Sequence, residues 1–142
     1  MKGHLLIIGG SGFIGRNLAE KSLKAGLFIT VISLTQITFD KKIPGVIYIQ
    51  VDITNLTLLK EKLFGVSFNY IVNLSGYIDH SRYLDGGHIA INAHFNGLQN
   101  LLQALDWSVI KRFVQIGSSD EYGNISAPQF EHMCESPISS YS

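Results

Sequence analysis

Short apolar runs alternate along the chain with stretches whose apolar residues recur every three or four positions. The runs are "HLLIIG" (4–9), "LFITVIS" (27–33), "VIYIQV" (46–51), "YIVNL" (70–74) and "RFVQI" (112–116). Each is rich in Val and Ile or other apolar residues and is bounded by turn residues, which predicts buried parallel strands. Between them the spacing predicts helices over 13–25, 55–64 and 87–105. In the last, Ile91, Phe95, Leu98, Leu102 and Leu105 follow one another at intervals of 4, 3, 4 and 3, forming one apolar stripe. Strands alternating with helices imply right-handed crossovers, and hence an α/β domain with a doubly wound parallel sheet. The stretch 124–140, "NISAPQFEHMCESPISS", lacks a sustained period and holds two of the three prolines. It reads as an irregular loop longer than most connections, the kind that more often serves function than packing.

The turn after the first run changes the picture from architecture to chemistry. "IIGGSGFIGRNL" follows a strand and opens a helix, with Gly9, Gly12 and Gly15 in a G-x-x-G-x-x-G pattern. Glycine is required where a chain turns tightly, where backbone approaches a diphosphate and where a helix packs closely on a strand. The free amides at the helix N-terminus then face the anion, aided by the helix dipole. Gly9, Gly12, Phe13, Ile14 and Gly15 are therefore candidate contacts for a dinucleotide. The plainer alternative is a glycine-rich turn with no ligand, but the strand–turn–helix context favours binding. At the end of the second strand, Ser33 stands where an acid would hold a ribose 2′-hydroxyl. Without that acid, and with Lys41 and Lys42 soon after, the cofactor is NAD or NADP with a slight lean to NADP. "VDIT" places Asp52 and Ile53 at the end of the third strand, where Asp52 is positioned to accept from an adenine amino group. "NLSG" places Leu74, Ser75 and Gly76 at the end of the fourth, where backbone can pass beside the nicotinamide half. For each of these strand-end residues a plain turn without a ligand is the alternative reading.

Bulk properties narrow the class further. At 142 residues the chain is one domain by length, and 46% hydrophobic residues with a mean hydropathy of +0.20 suit a folded α/β core. Eleven basic and eleven acidic residues cancel, which argues against a nucleic-acid or acidic-membrane surface. No apolar run reaches the roughly 18 residues of a membrane span. The start "MKGHLLIIGG" resembles a signal peptide only in outline, because glycines end its apolar run after "LLII". The single Cys134 cannot form an internal disulfide, which points to a reducing cytoplasm. The five histidines show no metal-ligand spacing, so no metal site is expected.

"GGSGFIG", "VDIT", "NLSG", "INAHFNGLQNLLQA", "RFVQIGSSDEYG" and "ESPISSY" occur in that order over the whole chain. In these marks the sequence resembles the extended short-chain dehydrogenase/reductases, specifically the NAD-dependent epimerase/dehydratase family that acts on nucleotide sugars. The resemblance implies a Rossmann-type dinucleotide-binding domain over 1–142. It implies a catalytic hydroxyl at Ser118, four positions before Tyr122-Gly123, and a catalytic tyrosine at Tyr141 in "ISSYS". It implies that Asn92 helps to shape the site from the fourth helix. A tyrosine is a usable base near neutral pH only where positive charge stabilises its phenolate. In that family a lysine four positions beyond the tyrosine and the oxidised nicotinamide supply the charge.

Ser119 and Asp120 occupy the place of the acid pair, or Ser-Glu, with which related dehydratases remove water, so Asp120 is a third catalytic candidate. "GSSDEYG" also looks similar to the "GSSEEYG" of reductases acting on 4-keto-6-deoxy sugars, and Glu121 reads as a solvated turn acid. The resemblance implies a homodimer for a complete protein and a nucleotide-sugar substrate held by a C-terminal portion. The sequence stops one residue past Tyr141 and thus reads as truncated after the fifth strand, with "RFVQI" left as an open edge. A rival from another class is a non-catalytic dinucleotide sensor or scaffold. Ser118 and Tyr141 together favour the enzyme, since a sensor needs neither.

Overall fold

The computed structural model describes residues 3–142. Five strands form one sheet: β1 (His4–Ile8), β2 (Phe28–Ser33), β3 (Val46–Gln50), β4 (Tyr70–Asn73) and β5 (Arg112–Gln115). They lie in the order β3-β2-β1-β4-β5, and every neighbouring pair is parallel. Each strand predicted from the apolar runs is present, shorter by one residue at one end. β1 lies at the centre, with Ile8 registered between Ile32 of β2 and Asn73 of β4.

The run "LLII" is buried on both faces because helices cover both. Leu6 and Ile8 join Ile32, Leu59, Phe68, Ile71 and Leu101 under α2 (Leu56–Leu63) and the fourth helical segment. Leu5 and Ile7 point the other way, into a cluster with Ala19 of α1 (Phe13–Lys24), Ile29 and Val31. Adjacent residues of a strand face opposite sides, so a continuous apolar run is what a sheet covered twice demands. Burying each such Leu or Ile side chain stabilises the fold by roughly 1.5–3 kcal/mol. Between β1 and β4 the order of winding reverses, which opens a crevice beyond the carboxyl ends of those two strands.

The predicted helix over 87–105 is interrupted. Its ends are α3 (Gly87–Ile91) and α4 (Gly97–Ala104), joined by a π-helical turn over Asn92–Asn96. The Asn96 amide donates to the Asn92 side-chain oxygen at 2.7 Å across this wide turn. The apolar stripe does not face the sheet: Ile91, Phe95 and Leu102 are 39%, 67% and 42% exposed, and only Leu105 is buried. The face against the sheet carries Ala90, Gly97 and Leu101. Small residues win there because the helix lies so close that a Cβ on Gly97 would come within 2.7 Å of Ile53 Cδ1. After the short 3-10 turn Ser119–Tyr122 no helix or strand follows among the described residues, in keeping with the irregular loop expected over 124–140. β5 lies at the sheet's edge, with Val114 38% exposed.

Candidate functional site

Two of the three motif glycines are fixed by the backbone around them. Gly9 ends β1 at φ +73°, and a Cβ there would meet the Leu74 carbonyl oxygen at 2.8 Å. Gly15 lies in the first turn of α1, where a Cβ would collide with Gly10 Cα. Gly12 differs: its only near neighbour would be Gly9 O at 3.5 Å, so the space in front of it is open. Gly12 also begins α1 without a side-chain cap, leaving the first-turn amides with no side-chain acceptor among the described residues. An anion-sized opening, free amides and a positive helix end meet at one residue. These features fit the diphosphate of a dinucleotide. Phe13 and Ile14 are 87% and 59% exposed on this turn, while Gly15 is buried beneath it.

From Gly12 a cleft of 540 Å³ runs along the carboxyl ends of the strands. It collects Gly9, Gly12, Ser33, Asp52, Ile53, Leu74, Ser75, Gly76 and Asn92, nine positions singled out from the sequence. The Ser33 hydroxyl is committed locally, donating to the Thr35 carbonyl at 2.7 Å. Asp52 accepts at one oxygen from both the backbone and the hydroxyl of Thr54, each at 2.8 Å. That turn is pinned from α4 by Asn100, whose amide donates to the Ile53 and Thr54 carbonyls at 2.9 Å. On β4, Asn73 is buried and donates to Gln115 at 2.7 Å, while accepting from the Ser75 hydroxyl at 2.6 Å and the Ser75 N–H at 3.1 Å. Sequence reasoning passed over Asn73 and Asn100. A lone polar residue inside "YIVNL" was the available signal for the first, since a buried amide requires partners.

A second cavity of 550 Å³ adjoins the cleft and shares Leu74, Ser75 and Gly76 with it. Ser118 and Tyr141 both line it, with Ile14 and Glu121. The Ser118 oxygen caps the 3-10 turn, accepting from Asp120 N at 3.2 Å. Of the two acids in "SSDEYG", it is Glu121 that lines the cavity. Asp120 is set apart, with its carboxylate 3.7 Å from His80 Nδ1.

The Tyr141 ring stands edge-on to both His80 and His94, with centroids 5.4 Å away in each case. His94 in turn accepts from the Tyr77 N–H at 3.1 Å and lies so close to β4's end that a Cβ on Gly76 would meet it at 2.5 Å. Beside His80, a hydrogen bond from the Ser81 side chain holds the Asp79 carboxyl below its ordinary range, and the Ser81 N–H adds to it at 2.8 Å. Among the described residues no group of three or more His, Cys, Asp or Glu side chains is placed to hold a metal, and no helix is long and apolar enough to cross a membrane.

A sheet in the order 3-2-1-4-5, a glycine turn at its winding reversal and a cleft across its strand ends define a Rossmann-type dinucleotide-binding fold. Residues 5–142 match the model of the NAD dependent epimerase/dehydratase family, and the chain belongs to that family. Comparison with curated protein sequences returns no match. Among solved structures, the Bordetella bronchiseptica enzyme WbmG in complex with NAD and UDP is 24% identical with a TM-score of 0.81, over 98% of this chain and 45% of its own. The UDP-glucose 4-epimerase of Thermus thermophilus in complex with NAD is 21% identical with a TM-score of 0.82, over 97% of this chain and 46% of its own. A UDP-galactose 4-epimerase is 20% identical with a TM-score of 0.81, over 97% and 46%. The chain thus spans less than half the length of these structures.

Proposed function

We propose that the chain is the dinucleotide-binding part of a nucleotide-sugar epimerase, dehydratase or reductase, with Ser118 and Tyr141 moving the proton that accompanies hydride transfer. The observation that carries this reading is the junction at Leu74–Gly76, where the glycine-cradled cleft meets the cavity lined by Ser118 and Tyr141. One ligand lying along the cleft reaches that cavity with its far end. The Ser118 oxygen already accepts from Asp120 N, so its own O–H is left to donate to a sugar oxygen. Tyr141 is fixed by two imidazole rings and exchanges the proton of the reacting hydroxyl. The dinucleotide supplies the hydride chemistry when bound.

Family membership supports the reaction class, and relatives solved with UDP or UDP-glucuronic acid support a nucleotide-sugar substrate. The sugar itself belongs to a C-terminal portion outside these 142 residues. The cofactor is NAD or NADP, and the missing acid at Ser33 leans to NADP. Asp120 joins the catalytic set through His80 rather than from the cavity wall. The outward stripe of Ile91, Phe95 and Leu102 supports a homodimer of the complete enzyme. The exposed, lone Cys134 is compatible with a reducing cytoplasm. Calorimetric titration of the folded chain with NAD(H) and NADP(H) tests the reading. Binding of at least one is expected, and binding of neither overturns it.

A further inference from the structure

Beside the cleft lies a separate cavity of 510 Å³, lined among others by Gly10, Ser11, Arg16, Thr35, Lys41 and Tyr48. It shares Ser11 and Thr35 with the dinucleotide cleft, so it opens from the end bounded by β1 and β2. No acid lines it. Two cations do, and one is held in place. Arg16 projects from the first turn of α1, with Nε 3.3 Å from Glu20 and Nη1 donating to the Lys41 carbonyl at 2.7 Å. That tether draws the 35–42 loop to the helix and sets Lys41 on the same cavity. Lys42 is turned to the Tyr48 ring, with Nζ 5.9 Å from its centroid, while the Tyr48 hydroxyl accepts from Ile43 N at 3.0 Å. Glu20 is engaged by Arg16, and Asp40 by the Thr38 side chain. Neither of these two acids is among the residues that line the cavity.

We propose that Arg16 and Lys41 form a phosphate-monoester subsite that takes the 2′-phosphate of NADP and makes this chain select NADP over NAD. The inference rests on the dinucleotide reading above and goes beyond it by assigning the selecting residues. Ser33 is the position from which an acid would repel that phosphate, and its hydroxyl is spent on Thr35. An anchored guanidinium loses little freedom on gripping a phosphate, and a lysine adds a point charge.

The test is a set of titrations with NADH and NADPH on the wild-type chain, Arg16→Gln and Lys41→Gln, with 2′,5′-ADP and 5′-ADP as competitors. Wild type is expected to bind NADPH about tenfold or more tighter than NADH, and 2′,5′-ADP to compete better than 5′-ADP. Each variant is expected to lose about tenfold in NADPH affinity while NADH affinity stays within about twofold. Lys41→Gln keeps the backbone carbonyl that tethers Arg16, so it reports the charge without loosening the loop. Wild-type NADH binding as tight as NADPH binding overturns the subsite and leaves the dinucleotide reading standing. Equal weakening of both dinucleotides in Lys41→Gln also overturns it. Failure of either dinucleotide to bind overturns both.

Discussion

Gly12 and Gly15 lie three residues apart in one motif, yet substitution at each should fail in a different way. At Gly15 a Cβ would collide with Gly10 Cα and approach Gly9 O to 2.8 Å, closer than real Cβ contacts come. Both obstacles are backbone, so α1 must move away from the end of β1. Overpacking of this kind costs about 1–3 kcal/mol. For a domain of this length that corresponds to a melting temperature lower by roughly 3–12 °C. At Gly12 the nearest atom to a Cβ is at 3.5 Å, and the residue already sits at φ −73° and ψ 176°, where any residue is at ease. Gly12→Val should therefore lower stability by no more than about 1 kcal/mol, the loss of a favourable cap residue. Its side chain would, however, fill the opening over the first-turn amides. Dinucleotide affinity should fall by about 100-fold or more, the equivalent of roughly 2.7 kcal/mol. Differential scanning fluorimetry and a fluorescence titration with NADH or NADPH, run on both variants, separate the two effects. A Gly15→Ala chain that melts with wild type would refute the packing argument. A Gly12→Val chain that binds like wild type would refute the diphosphate assignment.

Under the proposed proton transfer, Tyr141→Phe is expected to leave cofactor affinity nearly unchanged while nucleotide-sugar turnover falls by about 10²–10⁴; full turnover would remove Tyr141 from the chemistry. Asn100→Leu removes two hydrogen bonds that hold the turn carrying Asp52, and urea denaturation should show a loss of about 1–3 kcal/mol, whereas an unchanged midpoint would show that the turn is held by other contacts. Burial holds the His4 imidazole below its ordinary value of 6.5, only partly offset by a hydrogen bond with the Ser67 backbone. The unfolded chain then binds the extra proton first, so His4's contribution is complete above about pH 6.5 and declines as pH falls below it. Urea midpoints at pH 7.5 and pH 5 should differ in that direction, and His4→Gln, which keeps a polar partner for the Thr30 hydroxyl now 2.9 Å from Nε2, should flatten the difference; an unchanged slope in that variant would assign the effect to other groups.

By itself the sequence determined the elements and most of the cleft. Continuous apolar runs such as "LLII" report a strand covered on both faces, because a strand with one wet face would leave every second apolar residue in water. The glycine turn was legible because Gly9 and Gly15 answer to backbone requirements that no other residue meets, while Gly12 keeps the space before the helix end open. What the tertiary structure decided is whatever depends on neighbours distant in the chain. Gly9 owes its constraint to Leu74, 65 residues away, which is adjacent only because β4 crosses to the far side of β1. The apolar stripe of residues 91–105 is legible as a stripe, but periodicity cannot say which way it points. Close approach to Ile53 gave the sheet face to Gly97 and Leu101 and turned Phe95 outward. The π turn at Asn92–Asn96 left no mark on the spacing. Likewise, Asp120 and Glu121 are neighbours with the same charge, and only the path of the 3-10 turn sends one toward His80 and the other to the cavity wall. Local pattern records what each residue requires of its environment, and the crossing of the strands decides which residues supply it.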